Sequence, residues 1–142
     1  MIRFTVATVC YNASSTLRRT LQSVVTQDYP HIEHLIIDGA SKDDTAQLVQ
    51  QYLALYEGIE DGRTLVFRSE PDKGLYDAMN KALLQATGDY ILFLNAGDKF
   101  HTSTTLSDIA AQLPASSDHN TLPAVLYGDT HLVDDNGKFL RA

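Results

Sequence analysis

Apolar residues run along this chain in two rhythms. Arg3 to Val9 is a continuous, β-branched stretch that reads as a buried strand; after a polar interval, Leu17, Leu21, Val24 and Val25 recur at helical spacing. The alternation then repeats. Glu33 to Asp38, with Leu35-Ile36-Ile37 inside it, predicts a second strand. Leu48, Val49, Tyr52, Leu53 and Tyr56 form the apolar face of a second helix, which Gly58 stops. Ahead of it, Ser41-Lys42-Asp43-Asp44 has the form of a capping box, with Ser41 at the N-cap and Asp44 at N3. Thr64 to Phe67 is a third strand, Leu75 to Thr87 a third helix with Gly88 as its C′ residue, and Tyr90 to Leu94 a fourth strand. Leu106, Ile109, Ala110 and Leu113 outline a fourth helix, followed by a polar loop from Pro114 to Pro123. Val125-Leu126-Tyr127 predicts another strand, and Asn136-Gly137 a terminal hairpin with a type I′ turn.

Strands that alternate with helices and carry continuous apolar runs predict an α/β fold, a mostly parallel sheet with helices on both faces. The 142 residues suffice for a single domain, 1–142, ending in the hairpin. Ligands of such sheets bind beyond the carboxyl ends of the strands. Those ends carry Cys10-Tyr11-Asn12, then Asp38, then Glu70 and Asp72, then Asn95 and Asp98. Each predicted strand therefore delivers polar, ligand-type groups to one edge.

Composition narrows what that edge can do. Apolar content of 44% and charged content of 20% are those of a globular protein. A net charge of −7 argues against nucleic acid as a partner, since a broad basic surface is lacking. The single cysteine, Cys10, excludes an intrachain disulfide and a cysteine-cluster zinc site. No apolar run reaches the ~18 residues of a membrane span and the N-terminus lacks a signal-peptide layout, so a cytoplasmic location is expected. Neither GxGxxG after the first strand nor GxxxxGK[ST] is present, and no GxSxG elbow supports a serine hydrolase. The histidines at 31, 34, 101, 119 and 131 show no HxxxH spacing; His31 and His34 read as surface or packing residues.

Several carboxylates on one rim repel each other unless they are spread apart or share a cation. Oxygen ligands without His or Cys suit Mg²⁺ or Mn²⁺, and magnesium takes only one or two protein carboxylates, the rest coming from water and substrate phosphates. One carboxylate and one phosphate charge about 5 Å apart repel by roughly 3 kcal/mol at an effective dielectric of about 20, so a phosphorylated ligand at this rim calls for a bridging ion. The plainer reading is that an Asp after a strand caps a helix or makes a turn. Asp43 and Asp44 fit it, Asp134 and Asp135 read as turn residues, and Asp72 could cap the helix near Leu75. It leaves Asp38 without a task, because Ser41 takes the cap, and Asp98 stands several residues before the next helix.

LIIDGASKDDT, SEPDKGLYDAMNKALLQATGDYILFLNAGD and VLYGDTHLVDDNGK resemble family 2 glycosyltransferases of the GT-A fold, in particular the bacterial exopolysaccharide branch with its colanic acid transferases. The likeness covers nearly the whole chain. It implies a Rossmann-like, nucleotide-diphospho-sugar-binding α/β half. In it Val9, Tyr11 and Asn12 would line the base and ribose, Asp38 would contact the base, and Asp72-Lys73-Gly74 would lie along the nucleotide. Asn95 to Asp98 takes the place of the family's metal-holding DXD element, with Asp98 as metal ligand and Asn95 beside it. Where the common form reads Asp-Ser-Asp-Asp, Asn95 and Gly97 replace two acids; Met79 stands where much of the family has a diphosphate-facing arginine, for which Lys73 would partly substitute. The resemblance further implies Mg²⁺ or Mn²⁺ as cofactor, a nucleotide-sugar donor, and inverting transfer to a polysaccharide or lipid-linked acceptor. A homodimer and peripheral association with the inner face of the membrane are the further partners it admits. The acceptor-binding half, with the catalytic base, is expected beyond Ala142, although Asp129 stands near the rim in sequence. The alternative is a non-catalytic remnant of such an enzyme that binds nucleotide weakly or self-associates. A response-regulator-like domain ranks behind both, since paired acids after the first strand are lacking.

Overall fold

A computed structural model describes residues 1–114 and 118–142. Residues 115–117, part of the loop expected over 114–123, lie outside the described residues. The chain forms two compact units, Met1–Gln112 and Leu113–Ala142.

The first unit alternates as the pattern requires: β1 (Phe4–Cys10), α1 (Leu17–Val25), β2 (Ile32–Asp38), α2 (Thr45–Glu57), β3 (Thr64–Ser69), α3 (Leu75–Gln85), β4 (Tyr90–Phe93) and α4 (Thr105–Ala111). The strands pair in the order β3-β2-β1-β4, and every pairing is parallel. β1 and β2 are buried along their whole length, as continuous apolar runs covered on two faces must be. Alternate residues then supply two cores. Cys10 and Ile36 pack with Leu17 and Leu21 of α1 and Leu48, Val49 and Tyr52 of α2 on one face. Ala7, Val9, Leu35 and Ile37 pack with Ala78 and Ala82 of α3 on the other. Small residues on α3 let that helix sit close to the strands. Among the described residues no helix is long and apolar enough to cross a membrane.

Gly88 follows α3 in a role different from the expected left-handed C′ residue. Its N–H donates to Thr5 Oγ1 at 2.9 Å, and a Cβ there would lie 2.6 Å from the Thr5 backbone nitrogen. Glycine is needed for close approach to β1. Nearby, Glu33 accepts from Thr5 and Thr87, and these bonds outweigh its burial to hold its carboxyl below the usual range. This cluster lies at the amino end of the strands, away from the edge singled out above.

The second unit contains a short 3-10 turn, His119–Thr121, and two antiparallel strands, β5 (Leu132–Val133) and β6 (Phe139–Arg141). The hairpin is present but its turn differs from type I′. Gly137 is left-handed at φ 82°, whereas Asn136 is not. Asp134 closes the turn instead: its carbonyl accepts from Gly137 N–H at 2.9 Å and its carboxylate from the N–H groups of Asn136 and Lys138. An Asx-type bond at the first turn position competes with the left-handed conformation that Asn-Gly would otherwise take. Val125-Leu126-Tyr127 is exposed and forms no strand, having no paired neighbour to satisfy its backbone.

His34 sits inside β2 with 1% of its surface exposed; its Nε2 lies 2.8 Å from Thr8 Oγ1 and its Nδ1 is buried without a partner. Burial pushes its pKa down to about 3 from 6.5, so the folded protein holds a neutral imidazole. The unfolded chain takes up a proton below about pH 6.5 that the folded chain refuses, so stability is complete above that pH and is lost as pH falls toward 3. Chemical denaturation is expected to give a stability about 2 kcal/mol lower at pH 5 than at pH 7, with the difference largely removed in a Thr8→Val/His34→Leu double variant. An unchanged pH dependence in that variant would place the titrating group elsewhere.

Candidate functional site at the carboxyl edge of the sheet

Parallel pairing decides which strand tips meet. Cys10 is level with Asp38, and the ladder continues beyond the strands: Gly39 N–H donates to Cys10 O at 3.0 Å, and Ala96 N–H reaches Val9 O at 3.4 Å. The tips of β2 and β4 therefore flank the tip of β1, which brings Asp38 and the Asn95–Asp98 turn to one edge. Between the β1 tip (Val9, Cys10, Tyr11), Gly39, and the β3–α3 segment (Pro71, Asp72, Gly74, Leu75, Ala78) lies a cleft of about 440 Å³. Of the sequence-predicted residues, Val9, Tyr11, Asp72 and Gly74 line it. Asn12, Asp38 and Lys73 are next in the chain to lining residues but do not line it themselves. Asn95 and Asp98 are not among the lining residues; their turn is tied to the β1 tip through Ala96 N–H and to α1 through Thr20.

The rim acids do not converge on a common point. Among the described residues no three His, Cys, Asp or Glu side chains come together as a group that could hold a metal, so these acids are spread apart along the rim. Each acid has its own partners instead. Asp38 is 1% exposed and accepts from Ser41 N–H at 3.0 Å, Ser41 Oγ, Ser69 Oγ at 2.7 Å and, more weakly, Cys10 Sγ at 3.6 Å. Burial, reinforced by this carboxylate, pushes the Cys10 thiol up, so it is a neutral donor. Ser41 is thus the partner of Asp38 and not the N-cap of α2. The cap position belongs to Asp44, whose side chain makes no capping bond. Asp43 takes the first-turn N–H of Thr45 and also Ser14 N–H, and the bonds from Thr45 first hold its pKa down to about 2.

Asn12 is a strut. Its N–H donates to Ser41 Oγ at 2.8 Å and its Oδ1 accepts from Lys42 N–H at 2.9 Å, with its backbone left-handed at φ 48°, a conformation that Asn tolerates. Ala40, also left-handed at φ 60°, has no such excuse and is held there by the bonds on either side. On the opposite wall Asp72 bends the chain by accepting Gly74 N–H at 2.9 Å, and the N-cap of α3 is Gly74 at φ 114°. Lys73 donates its N–H to Asp77 in the first turn of α3. Lys81 anchors this wall from one turn further on, bonding Pro71 O at 3.0 Å and pairing with Glu70 and Asp77 at 3.2 and 3.6 Å. Met79 packs against the α3-side core.

Asn95 and Asp98 differ from the other rim residues. Asn95 Oδ1 is buried without a hydrogen-bond partner, and the Asp98 side chain is exposed. A buried acceptor left unpaired costs about 1–3 kcal/mol, a cost that a partner from outside the chain would relieve at this edge. An amide oxygen and one carboxylate, with water and phosphate completing the shell, fit the requirement of an octahedral Mg²⁺ or Mn²⁺. Residues that sequence reasoning missed are the hydroxyls of Ser41 and Ser69, Gly39 and Lys81. Only Gly39 had a local signal, its place directly after a strand-end acid.

The model of glycosyl transferase family 2 matches residues 5–136. Rv1514c, an uncharacterized glycosyltransferase of Mycobacterium tuberculosis, is 42% identical over 96 residues, which cover 67% of this chain and 34% of that protein. TuaG of Bacillus subtilis, a putative teichuronic acid biosynthesis glycosyltransferase, is 39% identical over 95 residues, 67% of this chain and 36% of its own. Among solved structures, the mannosyltransferase PcManGT of Pyrobaculum calidifontis, in complex with GDP-Man and Mn²⁺, superposes with a TM-score of 0.67 at 28% identity, covering 77% of this chain and 31% of that one. Staphylococcus aureus TarS 1–349, in complex with UDP-GlcNAc, does so with a TM-score of 0.65 at 28% identity, covering 78% and 30%. The chain spans about a third of the length of these proteins. The GT-A fold expected from the sequence is present.

A Cβ at Gly39 would lie 2.7 Å from Asp72 Oδ2, so the two cleft walls touch at this point. Gly39→Ala is expected to destabilise by about 1–3 kcal/mol through overpacking, and by clearly less in an Asp72→Ala background. Equal costs in the two backgrounds, measured by chemical denaturation, would show that the walls do not meet there.

Proposed function

Because this chain belongs to glycosyl transferase family 2, we propose that its first unit binds the nucleotide diphosphate of a sugar donor, as part of an enzyme that transfers the sugar with inversion to a polysaccharide or lipid-linked acceptor. The observation that carries this reading is the cleft at the β1 tip, with the orphaned Asn95 Oδ1 and exposed Asp98 on the turn tied to Val9 O. Its walls suit a nucleoside. Val9, Tyr11, Pro71 and Leu75 offer apolar contact for a base, and Asp72 and the nearby backbone offer polar partners. The GDP-Man and UDP-GlcNAc complexes of PcManGT and TarS support a donor of this class.

Asp38 does its work from beneath the rim. Saturated by Ser41 and Ser69, it holds the β2 and β3 tips in place, and through Ser41 it sets the Asn12 loop. A base contact by Asp38, as the resemblance implies, would require exchange of one of those hydroxyl partners. Asp98 and Asn95 would hold Mg²⁺ or Mn²⁺, which when bound supplies positive charge against the departing diphosphate. No residue of this chain is assigned as the catalytic base; Asp129 is exposed in the second unit.

With Mn²⁺ present, UDP or GDP at about a hundred times its Kd is expected to stabilise the protein by ~2.7 kcal/mol, a rise of several degrees in Tm. Asp98→Ala removes that rise. No shift with either nucleotide at millimolar concentration and saturating Mn²⁺ would refute donor binding by this chain.

A further inference from the structure

Past Ala96 the segment after β4 leaves the sheet, and side chains of α1 and of the residues just after it bind its backbone. Thr20 and Ser23, three residues apart on α1, and Gln27, two residues beyond the helix end, supply them. Thr20 Oγ1 accepts from Gly97 N–H at 2.9 Å and donates to Asp98 O at 2.6 Å, with Asn95 O at 3.5 Å. Ser23 Oγ accepts from Phe100 N–H at 3.2 Å. Gln27 Nε2 donates to Thr102 O at 2.7 Å and its Oε1 accepts from Leu106 N–H at 3.1 Å. Thr20 is fully buried and Gln27 is 2% exposed, so these bonds are shielded from water.

Thr20 is set apart by what it grips. Its hydroxyl is the hub of the turn that presents Asn95 Oδ1 and the Asp98 carboxylate. The turn contains left-handed Gly97 at φ 102°; apart from Thr20, Ala96 N–H to Val9 O at 3.4 Å ties its start to β1 and Asp98 N–H to Asn95 O at 2.9 Å closes it. Neither bond reaches the Gly97 N–H or the Asp98 carbonyl, which Thr20 alone fixes among the described residues. A hydroxyl that both donates and accepts inside it fixes the spacing of the two side chains. We propose that Thr20 is the positioning residue for the metal-holding turn, acting on the ion through the backbone of Gly97 and Asp98. The inference rests on the reading of Asn95 and Asp98 given above. Ser23 and Gln27 continue the same series of bonds but hold chain that lies past the turn, so they contribute to folding of the segment rather than to the ion.

The test uses the full chain, with Mn²⁺ affinity read from the paramagnetic resonance of free Mn²⁺ at saturating UDP and UDP affinity read separately in chelator. Thr20→Val keeps the shape and removes the hydroxyl; it is expected to weaken Mn²⁺ binding by roughly 10–100-fold, as loss of an outer-shell support typically does. UDP binding in chelator stays as in the unsubstituted protein. Thr20→Ser restores Mn²⁺ affinity to within about threefold, and Gln27→Leu lowers Tm without a loss of that size. If the valine variant does not fold, Thr20→Ala is read in its place with the same expectation. Mn²⁺ affinity unchanged in Thr20→Val but lost in Asp98→Ala would overturn the role of Thr20 and leave the site reading standing. Equal Mn²⁺ affinity in the unsubstituted and Asp98→Ala proteins would overturn both. A parallel loss of UDP affinity in chelator would reduce Thr20 to a structural residue and overturn the proposal.

Discussion

Parallel pairing of β1 with both β2 and β4 is the constraint on which the rest depends. A strand placed first in the chain and second from the sheet edge must be covered on both faces, which accounts for the unbroken burial of Phe4 to Cys10. It also makes all the carboxyl ends share one edge. With β2 and β3 laid down on one side of β1 and β4 on the other, the tips at Asp38 and Asn95 are brought to either side of Val9 and Cys10. Chain direction, more than any individual contact, builds the cleft. Hydrogen bonds then stop the tips from splaying. Ser41 and Ser69 bind Asp38, Asn12 binds Ser41 and Lys42, and each bond to a charged group contributes roughly 1.5–3 kcal/mol when shielded.

The edge divides its acids by environment. Asp38, Asp43 and Asp72 are consumed internally, by hydroxyls and backbone N–H groups, and serve to shape loops. Glu70 is neutralised by Lys81. That leaves Asp98 exposed on the same turn as the unpaired oxygen of Asn95, while Asp38, Asp43 and Asp72 keep their negative charge although hydrogen-bonded, so an anionic ligand meets an acidic rim. A chain of net charge −7 can offer a place to a diphosphate, provided a cation accompanies it.

Periodicity made the first unit legible. Leu35-Ile36-Ile37 and Ile91-Leu92-Phe93 read as strands between amphipathic helices, the first buried and the second half-buried at the sheet edge, and polar residues at their ends marked the functional edge. What stayed hidden was pairing between residues distant in sequence. Ser41 satisfied the local pattern of a cap, yet the Asp38 carboxylate three residues away and the Asn12 N–H claimed it. Thr20 sits within an ordinary amphipathic helix and touches the β4 turn only once the fold is complete. Gly88 looked like a helix terminator because the approach of β1 is not written in its neighbourhood. In the second unit, the strand expected at Val125 to Tyr127 failed because β-propensity describes fit to a neighbouring strand, and none is paired with it.

Paramagnetic broadening by Mn²⁺ in the UDP-bound, ¹⁵N-labelled protein tests the central claim most directly. The account predicts the strongest broadening at the amides of Ala96, Gly97 and Asp98, with shifts at Cys10, Tyr11, Gly39 and Gly74 on adding UDP. Broadening centred on the opposite edge, around Glu33 and Gly88, with Gly97 and Asp98 unaffected, would contradict it.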